Sequence, residues 1–301
     1  MRFIPALRRS GRAVPLVPRL SVSQVSRVMI CLAFAAGSAR PPSAPAPVAG
    51  CPASLVCEPL WPEGAPDAHG NAPADRPFLI VYAHGDPSSL PVARRAAVIV
   101  FPGGAYGMLA RKREGEEPAR WLSGLGICAF QLEYRLGPAY HHPAQIRDAA
   151  RAVRWVRAHA ERYHLDGRVG VLGFSAGGHL AATLATRFEG GDAGSRDSVD
   201  RFSDRPDFQM LIYPVISMAA PYAHRASRIN LLGRDPSPAL LDSLSAERHV
   251  TAAAPPAFMV HAETDPVVDF ANSRAYAEAL RKARVPVEFL AFVNGSHGFG
   301  L

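Results

Sequence analysis

The stretch Val169-Gly170-Val171-Leu172-Gly173-Phe174-Ser175-Ala176-Gly177-Gly178-His179-Leu180 restricts the fold more than any other part of the chain. An apolar run ends in Gly-Phe-Ser-Ala-Gly, and a helical pattern starts directly after it. A strand, a sharp turn and a helix, with the serine at the turn, make the context of a nucleophile elbow. Gly173 and Gly177 leave room where side chains would meet the neighbouring strand and helix. The turn lifts the Ser175 hydroxyl above the sheet edge. The helix N-terminus behind it offers N–H groups to a developing anion. A bare G-x-S-x-G is common in loops, so its weight here comes from the flanking strand and helix.

The rest of the chain repeats that rhythm. Apolar strand patterns fall at residues 78–82, 96–101, 127–132, 208–213, 256–261 and 287–293. Helical patterns fall at 117–122, 145–163 and 273–283. In the second of these Ile146, Ala149, Ala150, Val153, Val156 and Ala160 recur at three and four residues and form one apolar face. Arg151, Arg154 and Arg157 read as its solvated side. Nearly all-apolar strands alternating with helices predict a mostly parallel sheet covered on both faces. Residues 189–207 are Gly- and Asp-rich and read as loop. Residues 215–255 break the alternation and read as a small inserted lid, with a short helix near 238–244.

A serine hydroxyl needs a base, and the base an orienting acid. In this architecture they follow in the order serine, acid, histidine. The acid lies in His261-Ala262-Glu263-Thr264-Asp265-Pro266-Val267-Val268-Asp269, just past a strand. Asp265 is the choice; Glu263 and Asp269 are the alternatives, Asp269 being placed to cap the next helix. The base is His297, set between glycines after the last strand. Loops at the C-terminal ends of parallel strands converge on one edge, which brings these distant residues together. Pro102-Gly103-Gly104-Ala105 follows another strand. The N–H groups of Gly103 and Gly104, with that of Ala176, are the expected oxyanion hole. His179, one helical turn past Ser175, reads as structural. His141-His142-Pro143 lacks Cys or acid partners at ligand spacing, so no metal is expected there.

The formal net charge of +7 looks like a nucleic-acid signal until it is located. Seven arginines and no acid fall within residues 1–40, leaving 26 basic against 26 acidic residues in the remainder. A neutral body gives no electrostatic footprint for nucleic acid. The basic stretch, the apolar run at 28–36 and small residues at 37 and 39 predict a signal peptide over 1–39 and a secreted or periplasmic protein. The run is far short of the ~20 residues of a membrane span, so no stable membrane anchor is expected. Val48-Ala49-Gly50-Cys51 resembles a lipidation box, but the Pro-rich residues before it are not an apolar core. Residues 40–75 read as a Pro/Ala-rich linker and 76–301 as one domain. Of four cysteines, Cys31 leaves with the leader, Cys51 and Cys57 are placed to pair after export, and Cys128 reads as an inert core thiol.

An ordered set of motifs carries a family resemblance: Leu60-Trp61-Pro62, Pro102-Gly103-Gly104-Ala105-Tyr106, Tyr134-Arg135-Leu136-Gly137-Pro138, Gly173 to Leu180, Arg205-Pro206-Asp207, Tyr213-Pro214-Val215-Ile216, Leu231-Leu232-Gly233 and Ser296-His297-Gly298. The chain resembles the acetyl xylan esterase-like, bacterial feruloyl esterase-like branch of the α/β-hydrolases from about Leu60 onward. The resemblance implies an α/β-hydrolase fold, a triad of Ser175, Asp265 and His297, no cofactor, and a small-molecule or oligosaccharide substrate bearing acyl esters on plant-polysaccharide sugars. Two departures stand out. Ala105 replaces the third glycine usual in the family. Members of the family also continue beyond the histidine loop into a final helix, without which apolar sheet surface is left bare and His297 rides on a loose tail. Two rival readings are a serine peptidase of the prolyl oligopeptidase-like type and an inactive truncated hydrolase. No propeller repeat of 40–45 residues favours the former.

Overall fold

The computed structural model describes residues 48–82 and 95–300. The predicted signal peptide, with its cleavage site and Cys31, lies outside the described residues. Among the described residues eight strands form one sheet in the order β1-β2-β4-β3-β5-β6-β7-β8. They are β1 (Val56–Pro59), β2 (Phe78–Tyr82), β3 (Arg95–Phe101), β4 (Cys128–Glu133), β5 (Leu165–Phe174), β6 (Phe208–Ile212), β7 (Ala257–Ala262) and β8 (Val287–Phe292). β2 runs antiparallel to both β1 and β4, and every pairing from β4 to β8 is parallel.

Parallel neighbours need long crossovers, and these carry helices. α1 (Glu117–Gly124) joins β3 to β4, α2 (Ala144–Ala158) joins β4 to β5, and α3 (Ala176–Thr186) joins β5 to β6. Between β6 and β7 lie the short helices α4 (Arg225–Leu232) and α5 (Pro238–Ser243). α6 (Ala271–Lys282) joins β7 to β8. One face of the sheet buries Val153, Val156, Leu180, Leu184, Tyr276 and Leu280 from α2, α3 and α6. The other buries Ala119 and Leu122 of α1. This is the α/β-hydrolase architecture, with central strands buried on both sides.

Three expectations need correction. β1 lies within the stretch expected to be a linker, and Cys51 is disulfide-bonded to Cys57 beside it. α2 ends at Ala158, five residues early, where His159 leaves the helical conformation. Its arginines are not a solvated face. Arg151 sits 2.6 Å from Asp197 and 2.7 Å from Asp200, Arg154 is 2.9 Å from Asp204, and Arg157 is 2.8 Å from Asp207. Together they fasten the 189–207 loop to the helix.

The outer strand β8 is covered on one face only. Val287 and Phe289 pack toward α6, with Phe289 stacked on Phe270. Leu290 and Phe292 point the other way and are 42% and 51% exposed.

Candidate active site

The elbow is built by crowding. Ser175 has φ 52° and ψ −118°, outside the conformations an L-residue adopts freely. Such a residue costs about 1–3 kcal/mol and persists only when its surroundings over-determine it. They do so here. The Ser175 N–H donates to Ile212 O at 3.0 Å, and its carbonyl accepts from His179 N at 3.2 Å and Val215 N at 3.0 Å. A Cβ on Gly177 would collide with the carbonyl of Phe101, and one on Gly173 with that of Gly177. Only glycine lets strand β3, the turn and α3 approach this closely.

The structure brings Ser175, His297 and Asp265 together from three separate strand ends. His297 Nε2 lies 2.9 Å from Ser175 Oγ, and His297 Nδ1 lies 2.7 Å from Asp265 Oδ2. An Nδ1–H donated to the carboxylate leaves Nε2 as the acceptor for the serine proton. Asp265 Oδ1 accepts the N–H groups of Val267 at 2.8 Å and Val268 at 3.0 Å. Burial pushes the Asp265 carboxyl up, but the hydrogen bonds from His297 and the two amides outweigh it and hold it below the usual value. Of the alternatives, Glu263 is exposed and Asp269 caps α6 through the Ala271 N–H at 2.8 Å.

Behind the carboxylate stands His261, which the sequence pattern does not single out. Its Nε2 is 3.2 Å from Asp265 Oδ2 and 3.1 Å from Val268 O, and its Nδ1 is 2.8 Å from Ser273 Oγ. Two acceptors at Nε2 fix the proton there, so Nδ1 accepts from the Ser273 hydroxyl. Burial lowers its pKa, so it serves as a neutral donor that orients Asp265.

The expected oxyanion donors separate. The Gly103 N–H donates to Glu114 Oε2 at 2.9 Å, so this amide is already engaged. That corrects the expectation for Gly103. The amides of Gly104 and Ala176 have no partner among the described residues and remain the candidates. The loop around them is strained: Gly104, Ala105 and Tyr106 all have positive φ, at 124°, 54° and 62°. It is pinned from several sides. The Tyr134 hydroxyl donates to Pro102 O at 2.6 Å, and Asn230 Nδ2 donates to Ala105 O at 2.9 Å. The Tyr106 hydroxyl donates to His179 Nδ1 at 2.7 Å, while His179 Nε2–H donates to Leu244 O at 2.8 Å. Burial drops the His179 pKa to about 4, so the ring is neutral and structural.

Glu114 also escaped the sequence reading, because Lys112-Arg113-Glu114-Gly115-Glu116 looks like a solvated charge run. It is buried. Its Oε1 accepts the Tyr213 hydroxyl at 3.0 Å, and the same hydroxyl accepts the Gly300 N–H at 3.1 Å. The Tyr213 ring packs 4.7 Å from the His297 ring and 4.6 Å from that of Phe299. Burial pushes the Glu114 carboxyl up against the two hydrogen bonds it receives. The loose tail expected for His297 is thus held at several points. They include Gly295 N–H to Thr264 Oγ1 at 3.0 Å and Arg113 Nη1–H to Gly298 O at 3.1 Å. A hydroxyl, an imidazole, a buried carboxylate and two open amides are the groups that nucleophilic acyl transfer requires.

The BD-FAE family model matches residues 90–280. The chain is similar to a solved structure of an acetyl ester-xyloside bifunctional hydrolase from Caldicellulosiruptor lactoaceticus. They share 43% identity with a TM-score of 0.75, over 82% of this chain and 88% of that one. It is similar also to the esterase Est2 of Thermogutta terrifontis, at 26% identity and TM-score 0.64, over 81% of this chain and 83% of that one. An acetylxylan esterase of Xylanibacter ruminicola is 34% identical over 68% of this chain. Endo-1,4-beta-xylanase B of Butyrivibrio fibrisolvens is 35% identical over 74%. The chain spans 41% and 34% of the length of these last two relatives. On the family match and the shared sheet, the chain belongs to the BD-FAE family and has the α/β-hydrolase fold.

Proposed function

We propose that this chain is a serine carboxylic-ester hydrolase acting on acetyl esters of plant-polysaccharide sugars. The observation that carries the proposal is the relay Ser175 Oγ to His297 Nε2 at 2.9 Å and His297 Nδ1 to Asp265 Oδ2 at 2.7 Å. The sugar-ester class is supported by the names of its relatives, an acetylxylan esterase and an acetyl ester-xyloside hydrolase.

Ser175 attacks the ester carbonyl while His297 takes its proton. Asp265 steadies the imidazolium, and the amides of Gly104 and Ala176 receive the negative charge that forms on the carbonyl oxygen. His297 then protonates the leaving alcohol. Water, activated by the same imidazole, releases the acid from the acyl-serine. Export belongs to the proposal as well. The leader pattern and the Cys51–Cys57 disulfide both suit an oxidising compartment outside the cytoplasm.

The test is release of acetate from an aryl acetate and from acetylated xylan by the wild type and by Ser175→Ala. Loss of the nucleophile should lower kcat by roughly 10⁴-fold or more. Equal rates for the two proteins would end the proposal. Turnover of the aryl ester with none of the polysaccharide would keep the chemistry and discard the substrate class.

A further inference from the structure

We propose that Glu114 is a positioning residue that sets the oxyanion loop and the histidine loop from a single carboxylate. The inference rests on the serine-esterase reading and deepens it. One oxygen, Oε2, takes the Gly103 N–H at 2.9 Å; the other, Oε1, takes the Tyr213 hydroxyl at 3.0 Å. Gly103 stands between Glu114 and the nucleophile. A Cβ built on it would fall 2.8 Å from Ser175 Cβ and would collide with Glu114 Oε2. The carboxylate therefore reaches the backbone beside the reacting serine with no side chain intervening.

Each arm adds a tie to a glycine-rich loop that has only a few others. Two successive glycines can rotate their shared peptide at little steric cost. The carbonyl of that shared peptide accepts the Ala110 N–H at 2.9 Å, and Glu114 holds the peptide before it, Pro102–Gly103, from its N–H side while the Tyr134 hydroxyl holds its carbonyl, so the Gly104 amide is aimed only with both peptides fixed. On the other arm, His297 lies five residues beyond the end of β8 in a segment containing Gly295, Gly298 and Gly300. Tyr213 packs its ring on the His297 imidazole and accepts the Gly300 N–H. Its hydroxyl proton is oriented by Glu114. A buried carboxyl group without donors is costly; here each oxygen has one. Donors fixed before reaction lower the barrier more than they aid binding. Glu114 should therefore act through kcat.

The experiment measures kcat and KM for an aryl acetate, with melting curves, for wild type, Glu114→Ala, Glu114→Gln and Tyr213→Phe. Glu114→Ala is expected to lose about 10²-fold in kcat, in the range for losing one oxyanion donor, with KM within about threefold. Glu114→Gln can still accept the Gly103 N–H and donate to the Tyr213 oxygen, so it should regain most of the loss. Tyr213→Phe cuts only the histidine arm and should cost roughly tenfold in kcat. The proposal is overturned by Glu114→Ala keeping kcat within about threefold, by a loss confined to KM, or by Gln no better than Ala. Should Glu114→Ala fail to fold, Tyr213→Phe with unchanged kcat overturns it equally. A wild type that turns over no ester would remove both this inference and the esterase reading. Turnover that Glu114→Ala retains would remove the inference alone.

Discussion

At one end of the sheet, β2 is buried along its whole length and sheltered by the short edge strand β1. The Cys51–Cys57 disulfide and the pair Glu58–Arg162, at 2.6 Å, fasten that edge. At the other end β8 is itself the edge, and Leu290 and Phe292 on one of its faces are largely bare. Yet β8 is the strand that delivers His297. The well-packed end carries no part of the triad, and the thinly covered end carries a third of it. What holds the histidine is a set of discrete polar ties from its loop to Asp265, Thr264, Arg113 and the Tyr213 hydroxyl, with one aromatic contact from the Tyr213 ring, rather than broad apolar burial. Stability and catalysis should therefore respond to different substitutions.

The largest contrast concerns carboxylates. Asp265→Asn should cost about 10⁴-fold in kcat, since the amide no longer fixes the imidazole tautomer. Glu58→Gln, at the packed end, should leave kcat unchanged. Steady-state kinetics on an aryl acetate decides this, and similar losses in both would break the comparison. A leucine deletion comes next. Leu79→Ala, on fully buried β2, should cost about 3 kcal/mol in urea unfolding. Leu290→Ala on β8 should cost less than about 1 kcal/mol.

Acidification probes the middle of the sheet. His179 is held neutral, with its pKa dropped to about 4 by burial, against 6.5 for a free histidine. As pH falls from 6.5 to about 4, the unfolded chain takes up a proton that the folded chain refuses. Stability is thus full above 6.5 and declines through that window, by about 3 kcal/mol in total. His142, also lowered to about 4, adds to the same slope. Urea unfolding across this range, with His179→Gln giving a shallower slope, checks it. The smallest effect is expected from replacing Cys51 and Cys57 with serine. Closing so short a loop is worth about 2 kcal/mol, and kcat should not move.

Much of this was legible because it is local. The Gly-Phe-Ser-Ala-Gly turn, the apolar strands and the order serine, acid, histidine all lie in short windows. What was hidden depends on contacts across the fold. β1, Val-Cys-Glu-Pro, has no apolar alternation and becomes a strand only because β2 offers its edge. The arginines of α2 looked solvated because their acids sit some 40–50 residues later, in a loop whose path no local pattern gives. Glu114 lies in a run of charges, and its burial follows from a π-helical turn that points it inward. His261 is masked by its apolar strand. Gly103 lies in the loop the sequence points to, but its own N–H is taken by Glu114, a partner that no local pattern gives.

The Tyr106–His179–Leu244 chain of hydrogen bonds ties the segment after β6 to the helix behind Ser175 and to the loop after β3. If that seam keeps its place through the cycle, turnover of a small acetate should be indifferent to added viscogen, because no movement there has to precede each round.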